Sequence, residues 1–205
     1  MLRDKTVKEF IYETSSESPA PGGGSIAALS AASSAALIEM VANLTIGKKG
    51  YEDVREEMEN VRAKASSYKE KFINYIDEDS DSFNKIMAAF KMPKDTEKEK
   101  EERKKEIQAA YKEAAEVPLN VGKNAFQLLE LAEKIITRGN HNAVTDGAVA
   151  AMSARTAVYS AFYNVKINLG SIKDEEFVKH AKEEINLIES KLDNIERSIL
   201  SKVKL

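Results

Sequence analysis

Apolar residues recur along this chain at alternating spacings of four and three. Val54, Met58, Val61, Ala65, Tyr68, Phe72 and Ile76, followed by Phe83, Ile86 and Phe90, form one such stripe. Residues three and four apart share one face of an α-helix, so the stripe predicts a long helix of a bundle or coiled coil. Pro93, which cannot continue a helix, stops it. Ile107, Ala110, Ala114, Val117, Val121, Ala125, Leu128, Ala132 and Ile135 predict the next helix, with a kink expected at Pro118. The last stripe is Phe177, Ala181, Ile185, Ile188, Leu192, Ile195 and Ile199, and the pattern Ser171-Ile-Lys-Asp174 places a capping box at its start. Two further helices, near residues 26–46 and 146–168, are built of small residues. A capping box at Thr6-Val-Lys-Glu9 opens a short helix that ends near Thr14. Nothing alternates with period two for long enough to make a strand. The pattern predicts an all-α, up-and-down bundle of about six helices, some long and antiparallel, in one domain over residues 1–205.

Polar residues that interrupt these stripes are the candidates for function. The rhythm between Ile76 and Phe83 asks for an apolar residue at 79, and the chain has Asp79. Either the helix continues and the carboxylate faces a core, a cleft or a partner subunit, or the helix breaks at Asp77-Glu-Asp-Ser-Asp81 and leaves Asp79 in water. Burial without a partner would force protonation or cost several kcal/mol. In the second small-residue helix, Asp146, Ala150, Ser153, Ala157, Ser160, Asn164 and Asn168 share one small, polar face. That face either packs closely on another helix or lines a groove, and Asp146 is placed to cap the helix or to serve a site. Pro19-Ala-Pro-Gly-Gly-Gly-Ser25 precedes the first small-residue helix. Its glycines permit a tight packing turn, or a close backbone approach to an anion or carbonyl oxygen at a helix start. Gly47-Lys-Lys-Gly50 ends that helix, so Lys48 and Lys49 are either a solvated cap or a contact for a multiply acidic ligand. The charge run at 95–105 reads as a solvated loop and first helical turns.

Composition narrows the chemistry. The 205 residues include no cysteine, which excludes disulfides, thiolate metal sites and a cysteine nucleophile. Two histidines, His141 and His180, are too few for a three-histidine metal site, and no Glu-x-x-His pair of a ferritin-like di-metal bundle occurs. Thirty-one basic and 34 acidic residues leave a net charge of −3, with no field to draw nucleic acid or an anionic membrane. The N-terminus carries mixed charge and no apolar secretory core. Residues 26–46 are long enough to span a bilayer but are mostly alanine and serine, so a buried bundle helix and a cytoplasmic protein are expected. Carboxylates, amides, hydroxyls, lysines and backbone remain to carry any chemistry.

Several of these segments together resemble the cyclodeaminase/cyclohydrolase family of folate enzymes. They are Pro19-Ala-Pro-Gly-Gly-Gly-Ser25 with the alanine-rich helix, Met40 through Glu52, Asp79-Ser-Asp-Ser-Phe83, Ala115-Glu-Val-Pro118, Gly139-Asn-His-Asn142 through Asp146, and Tyr163-Asn-Val-Lys-Ile-Asn-Leu169. The resemblance runs in order over nearly the whole chain. It implies an all-helical homodimer with its active site in a cleft near the subunit interface, acting on a tetrahydrofolate that carries a one-carbon unit. The reaction implied is loss of ammonia from formiminotetrahydrofolate with closure to 5,10-methenyltetrahydrofolate, or hydration of the methenyl form to 10-formyltetrahydrofolate. Either is acid–base work at one carbon and needs no metal or prosthetic group. On this reading Asp146 is the expected general acid/base and Asp79 a second carboxylate or orienter. Gly22, Gly23, Gly24 and Ser25 are expected to hold a polar part of the folate, and Lys48 and Lys49 its glutamate tail. Asn164 and Asn168 are expected to meet the pterin edge or to serve helix packing. A helical dimer that binds a ligand without chemistry is the rival expectation.

Overall fold

Residues 1–205 are described by a computed structural model. Its elements are α1 (Val7–Thr14), α2 (Gly23–Thr45), α3 (Arg55–Phe90), α4 (Glu97–Arg138), α5 (Val144–Leu169) and α6 (Glu175–Leu200), with three 3₁₀ turns and no strand. The all-α expectation holds. The helices α2, α3, α4 and α5 pack in a closed ring, each against the next, and α6 lies along α4 and α5. One continuous core draws on all six helices, from Phe10 of α1 to Ile199 of α6.

Small residues set the tightest contact. Ala27, Ala28, Ala31 and Ala35 of α2 and Ala150, Ala154, Ala157 and Ala161 of α5 have no exposed surface. With only a methyl group between backbones, Ser34 Oγ reaches across to donate to the Ala150 carbonyl at 2.8 Å. The two helices run antiparallel, since Gly23 neighbours Asn164 while Thr45 bonds to Asn140. By length and composition α2 is apolar enough to cross a membrane, and 56% of its most apolar window is buried within the bundle.

The ends of the helices show where local chemistry was read correctly and where it was not. The capping box at Thr6 and Glu9 forms as expected. Gly47 and Gly50 take φ of 76° and 89°, the left-handed region that glycine enters without strain. The charged run at 95–105 is helical from Glu97, because Thr96 and Glu99 form a second capping box. The box expected at Ser171 does not form. Asp174 caps α6 instead, accepting from the Phe177 amide at 3.0 Å, while the Gln108 side chain bridges the Ser171 carbonyl and the Lys173 amide. The helix α4 continues through Pro118 as one element. Proline leaves the carbonyl four residues earlier without its helical donor. That carbonyl, Ala114, receives the Asn168 side-chain amide at 2.8 Å.

Candidate active site

The helix α3 does not break at residues 77–81, so Asp79 is held against the first turn of α2. Ser25 Oγ lies 2.9 Å from Asp79 Oδ2 and 3.1 Å from the Ile76 carbonyl oxygen. The carboxylate occupies the space where a side chain on Gly24 would begin: a Cβ there would stand 1.9 Å from Asp79 Oδ1. Glycine at 24 is therefore a requirement of Asp79. Burial pushes the Asp79 carboxyl above its ordinary value, while the Ser25 hydroxyl and backbone N–H pull the other way. A carboxyl held between these influences has the character of a group that exchanges protons.

Around this seat the expected residues divide. Gly23 is exposed and Gly22, the cap of α2, is half-buried, so both remain open. Gly24 and Ser25 are buried, with the Asp79 carboxylate against them. Asn164 stands beside Gly23, its Nδ2 3.1 Å from where a Cβ would be, and donates to the Ser160 carbonyl at 2.8 Å. Asn168 is occupied by the Ala114 carbonyl freed at Pro118, which places it in helix packing.

Asp146, Lys48 and Lys49 lie at the opposite end of the α2–α5 pair. Asp146 is half-buried in the first turn of α5, where the exposed amides of a helix start favour a carboxylate. Eighteen residues of helix separate it from Asn164, roughly 27 Å at 1.5 Å per residue. One chain does not bring Asp79 and Asp146 together. Lys48 Nζ donates to Asn140 Oδ1 at 2.6 Å and lies over the Tyr51 ring, whereas Lys49 is exposed. The Asn140 backbone amide donates to Thr45 Oγ1 at 2.8 Å and its side-chain amide to the Leu44 carbonyl at 3.1 Å. The sequence marks Gly139-Asn-His-Asn142 as a motif, but it does not single out Asn140 as the residue that ties the turn to α2. A cleft of about 640 Å3 opens beside this cluster, with Tyr51, Arg138, His141 and Lys204 among its walls. No group of three metal-ligating side chains is assembled anywhere in the chain.

Apolar side chains are exposed on the outer side of the α2–α5 pair. Met40 and Leu44 of α2 and Val149, Met152, Tyr163 and Ile167 of α5 are exposed on it, Ile167 at 75%. The acidic residue of α2, Glu39, pairs with Lys69 at 2.7 Å.

The molecule is thus an all-helical protein in which a glycine turn seats the carboxylate of a neighbouring helix. Residues 6–187 match the formiminotransferase-cyclodeaminase family, and the chain belongs to it. It is 34% identical over 204 residues to the methenyltetrahydrofolate cyclohydrolase of Methylorubrum extorquens, covering 100% of this chain and 98% of that one. It is 31% identical over 185 residues to the formimidoyltransferase-cyclodeaminase of Rattus norvegicus, covering 90% of this chain but only 34% of that protein. The chain thus spans about a third of the length of such bifunctional relatives. The crystal structure of formiminotetrahydrofolate cyclodeaminase from Thermotoga maritima superposes with a TM-score of 0.88 at 33% identity, over 99% of this chain and 98% of that one.

Proposed function

We propose that this protein converts 5-formiminotetrahydrofolate to 5,10-methenyltetrahydrofolate with release of ammonia. The observation that carries this reading is the seated Asp79 carboxylate beside the open Gly22–Gly23 turn, in a chain that matches a cyclodeaminase over its full length. N10 of the folate attacks the protonated formimino carbon, and the new C–N bond leaves N10 with one proton too many. Asp79 takes that proton and returns it to the amino nitrogen on the same carbon. The C–N bond to that nitrogen then breaks, ammonia leaves, and the methenyl cation remains. One group that accepts and then donates a single proton carries both steps, and a second carboxylate holds the formimino nitrogen in its protonated form. The tetrahydrofolate is substrate, no prosthetic group takes part, and the cytoplasm is the compartment we assign. Gly22, Gly23 and Asn164 meet the polar edge of the folate, and Lys48 and Lys49 of a second copy of the chain meet its glutamate tail.

We assign Asp146 as the second carboxylate, supplied from another copy of the chain. The apolar residues exposed on α2 and α5 support a homodimer, and a twofold axis perpendicular to the antiparallel pair, near its middle, sets the Asp79 end of one protomer against the Asp146 end of the other. A second reading is hydrolysis of the methenyl group, with Asp79 deprotonating the attacking water. The full-length likeness to the Methylorubrum cyclohydrolase favours it.

The test supplies each substrate in turn and follows the methenyl absorbance and ammonia. Equimolar appearance of both from formiminotetrahydrofolate is expected. Consumption of methenyltetrahydrofolate alone replaces the first reading by the second, and turnover of neither overturns both. Mixing Asp79→Asn with Asp146→Asn protein, each inactive, should restore about a quarter of wild-type activity, since half the dimers then carry one intact site. No recovery after subunit exchange overturns the shared site.

A further inference from the structure

We infer that Ser25 is a positioning residue that serves Asp79 in both of its protonation states, and that Gly24 is glycine so that the carboxyl can sit within reach of it. The inference rests on the acid–base reading of Asp79. Ser25 has one hydroxyl proton and two acceptors near it, Asp79 Oδ2 at 2.9 Å and the Ile76 carbonyl at 3.1 Å. When Asp79 is charged, the hydroxyl donates to it. When Asp79 carries the proton, the carboxyl O–H donates to Ser25 Oγ, and the hydroxyl turns to the Ile76 carbonyl, which has a second lone pair beyond its helical bond. A hydroxyl can exchange roles in this way because it is donor and acceptor at once; a lysine or an ionised carboxylate cannot. The buried polar groups are then bonded before and after proton transfer, and neither state suffers an unpaired atom.

The surroundings leave Asp79 to Ser25, whose hydroxyl and backbone N–H both meet the carboxyl. The first turn of α2 is uncharged, and α5 brings only the neutral Asn164. On α3 itself, Glu78 and Asp81 are exposed, and Asp77 is turned to the N-terminal segment, where the Leu2 amide donates to it at 2.6 Å and Arg3 pairs with it at 3.3 Å. Ser25 has no exposed surface, so neither water nor substrate competes for its hydroxyl. The glycine motif therefore divides by function: Gly22 and Gly23 face outward, and Gly24 and Ser25 manage the carboxyl behind them.

The experiment follows the Asp79 side-chain carboxyl by carbon NMR across pH in the full-length protein, alongside the pH dependence of kcat/KM. In Ser25→Ala the Asp79 midpoint should rise by about half to one pH unit, the excess of a hydrogen bond to the charged carboxylate over the neutral one that the protonated carboxyl makes. The acidic limb of the rate profile should move with it, KM should hold, and Ser25→Thr should restore both. An unmoved midpoint, or a raised KM at constant kcat, overturns the inference. A midpoint that moves while the rate limb stays fixed overturns the acid–base reading of Asp79 beneath it. The second variant is Gly24→Ala, whose methyl displaces the carboxyl. Its loss of kcat should match that of Asp79→Asn, and the double variant should be no worse than either. Additive losses overturn the shared seat.

Discussion

The two ends of the α2–α5 pair use the same materials, a carboxylate, a glycine and an asparagine, to opposite ends. At one end Asp79 is fastened by Ser25 and fits the space left by Gly24, and Asn164 stands at the opening. At the other, Asn140 is the fastened group, bonded to Thr45, Leu44 and Lys48, while Asp146 lies half-buried at the start of α5. The glycines differ in the same way. A Cβ on Gly24 meets the end of a polar side chain, whereas a Cβ on Gly147, next to Asp146, stands 2.7 Å from Ile136 Cγ1 in the core. One end spends its close approach on positioning a reactive group and the other on holding helices together. Asp79 is fastened within its own chain; Asp146 stands in the first turn of α5 without such a fastening.

This contrast can be broken in four places. The largest effect should come from Asp79→Asn and Asp146→Asn, each lowering kcat by about 10²–10⁴-fold, the usual worth of a proton-transfer group. Circular dichroism should show both folded, and a loss confined to one of them would remove the other from the site. Gly147→Ala is next: overpacking against Ile136 should cost about 1–3 kcal/mol, read as a lower Tm with kcat per folded protein unchanged. If Gly24→Ala lowers Tm as much and spares kcat, the two ends do not differ. Third, Asp79→Asn should raise Tm at neutral pH by about 2–4 °C, the shift that ~1 kcal/mol gives in a chain of this length. The direction follows from burial. The folded carboxyl binds its proton more tightly than the unfolded one, so Asp79 adds no penalty below its ordinary pKa of 3.8, and its stabilisation is lost as pH rises through the higher folded value. The gain should thus vanish in melts near pH 3. Smallest, Lys49→Ala should raise KM for a polyglutamylated substrate by about 2–5-fold and leave the monoglutamate unaffected, as expected of one exposed charge pair.

Much of this was legible in the chain. Periodicity marked Asp79 as a polar residue in an apolar position, and the small-residue rows marked the close helix pair. What periodicity cannot show is which anomaly answers which. Gly24 and Asp79 explain each other across more than fifty residues, and Pro118 and Asn168 do so again: a missing amide donor in α4 is supplied by a side chain of α5. Ser25 read as a polar residue available to a ligand because burial is a property of the packed ring, not of the serine. The separation of Asp79 from Asp146 was equally hidden, since a shared chemistry says nothing of distance until helix lengths are laid side by side.

The antiparallel pair also behaves as a gauge. From Gly24 to Thr45, α2 sets a span of about 32 Å at 1.5 Å per residue, with a carboxylate seat at one mark and the Asn140 cluster at the other. Adding a single residue within the alanine row would rotate everything beyond it by about 100° and turn one end outward while the other stayed in register. The tip between α3 and α4, with its exposed residues 91–98 mostly free of the core, carries no such constraint. Fusions, labels and length variation belong there, and α2 admits changes of residue but not of number.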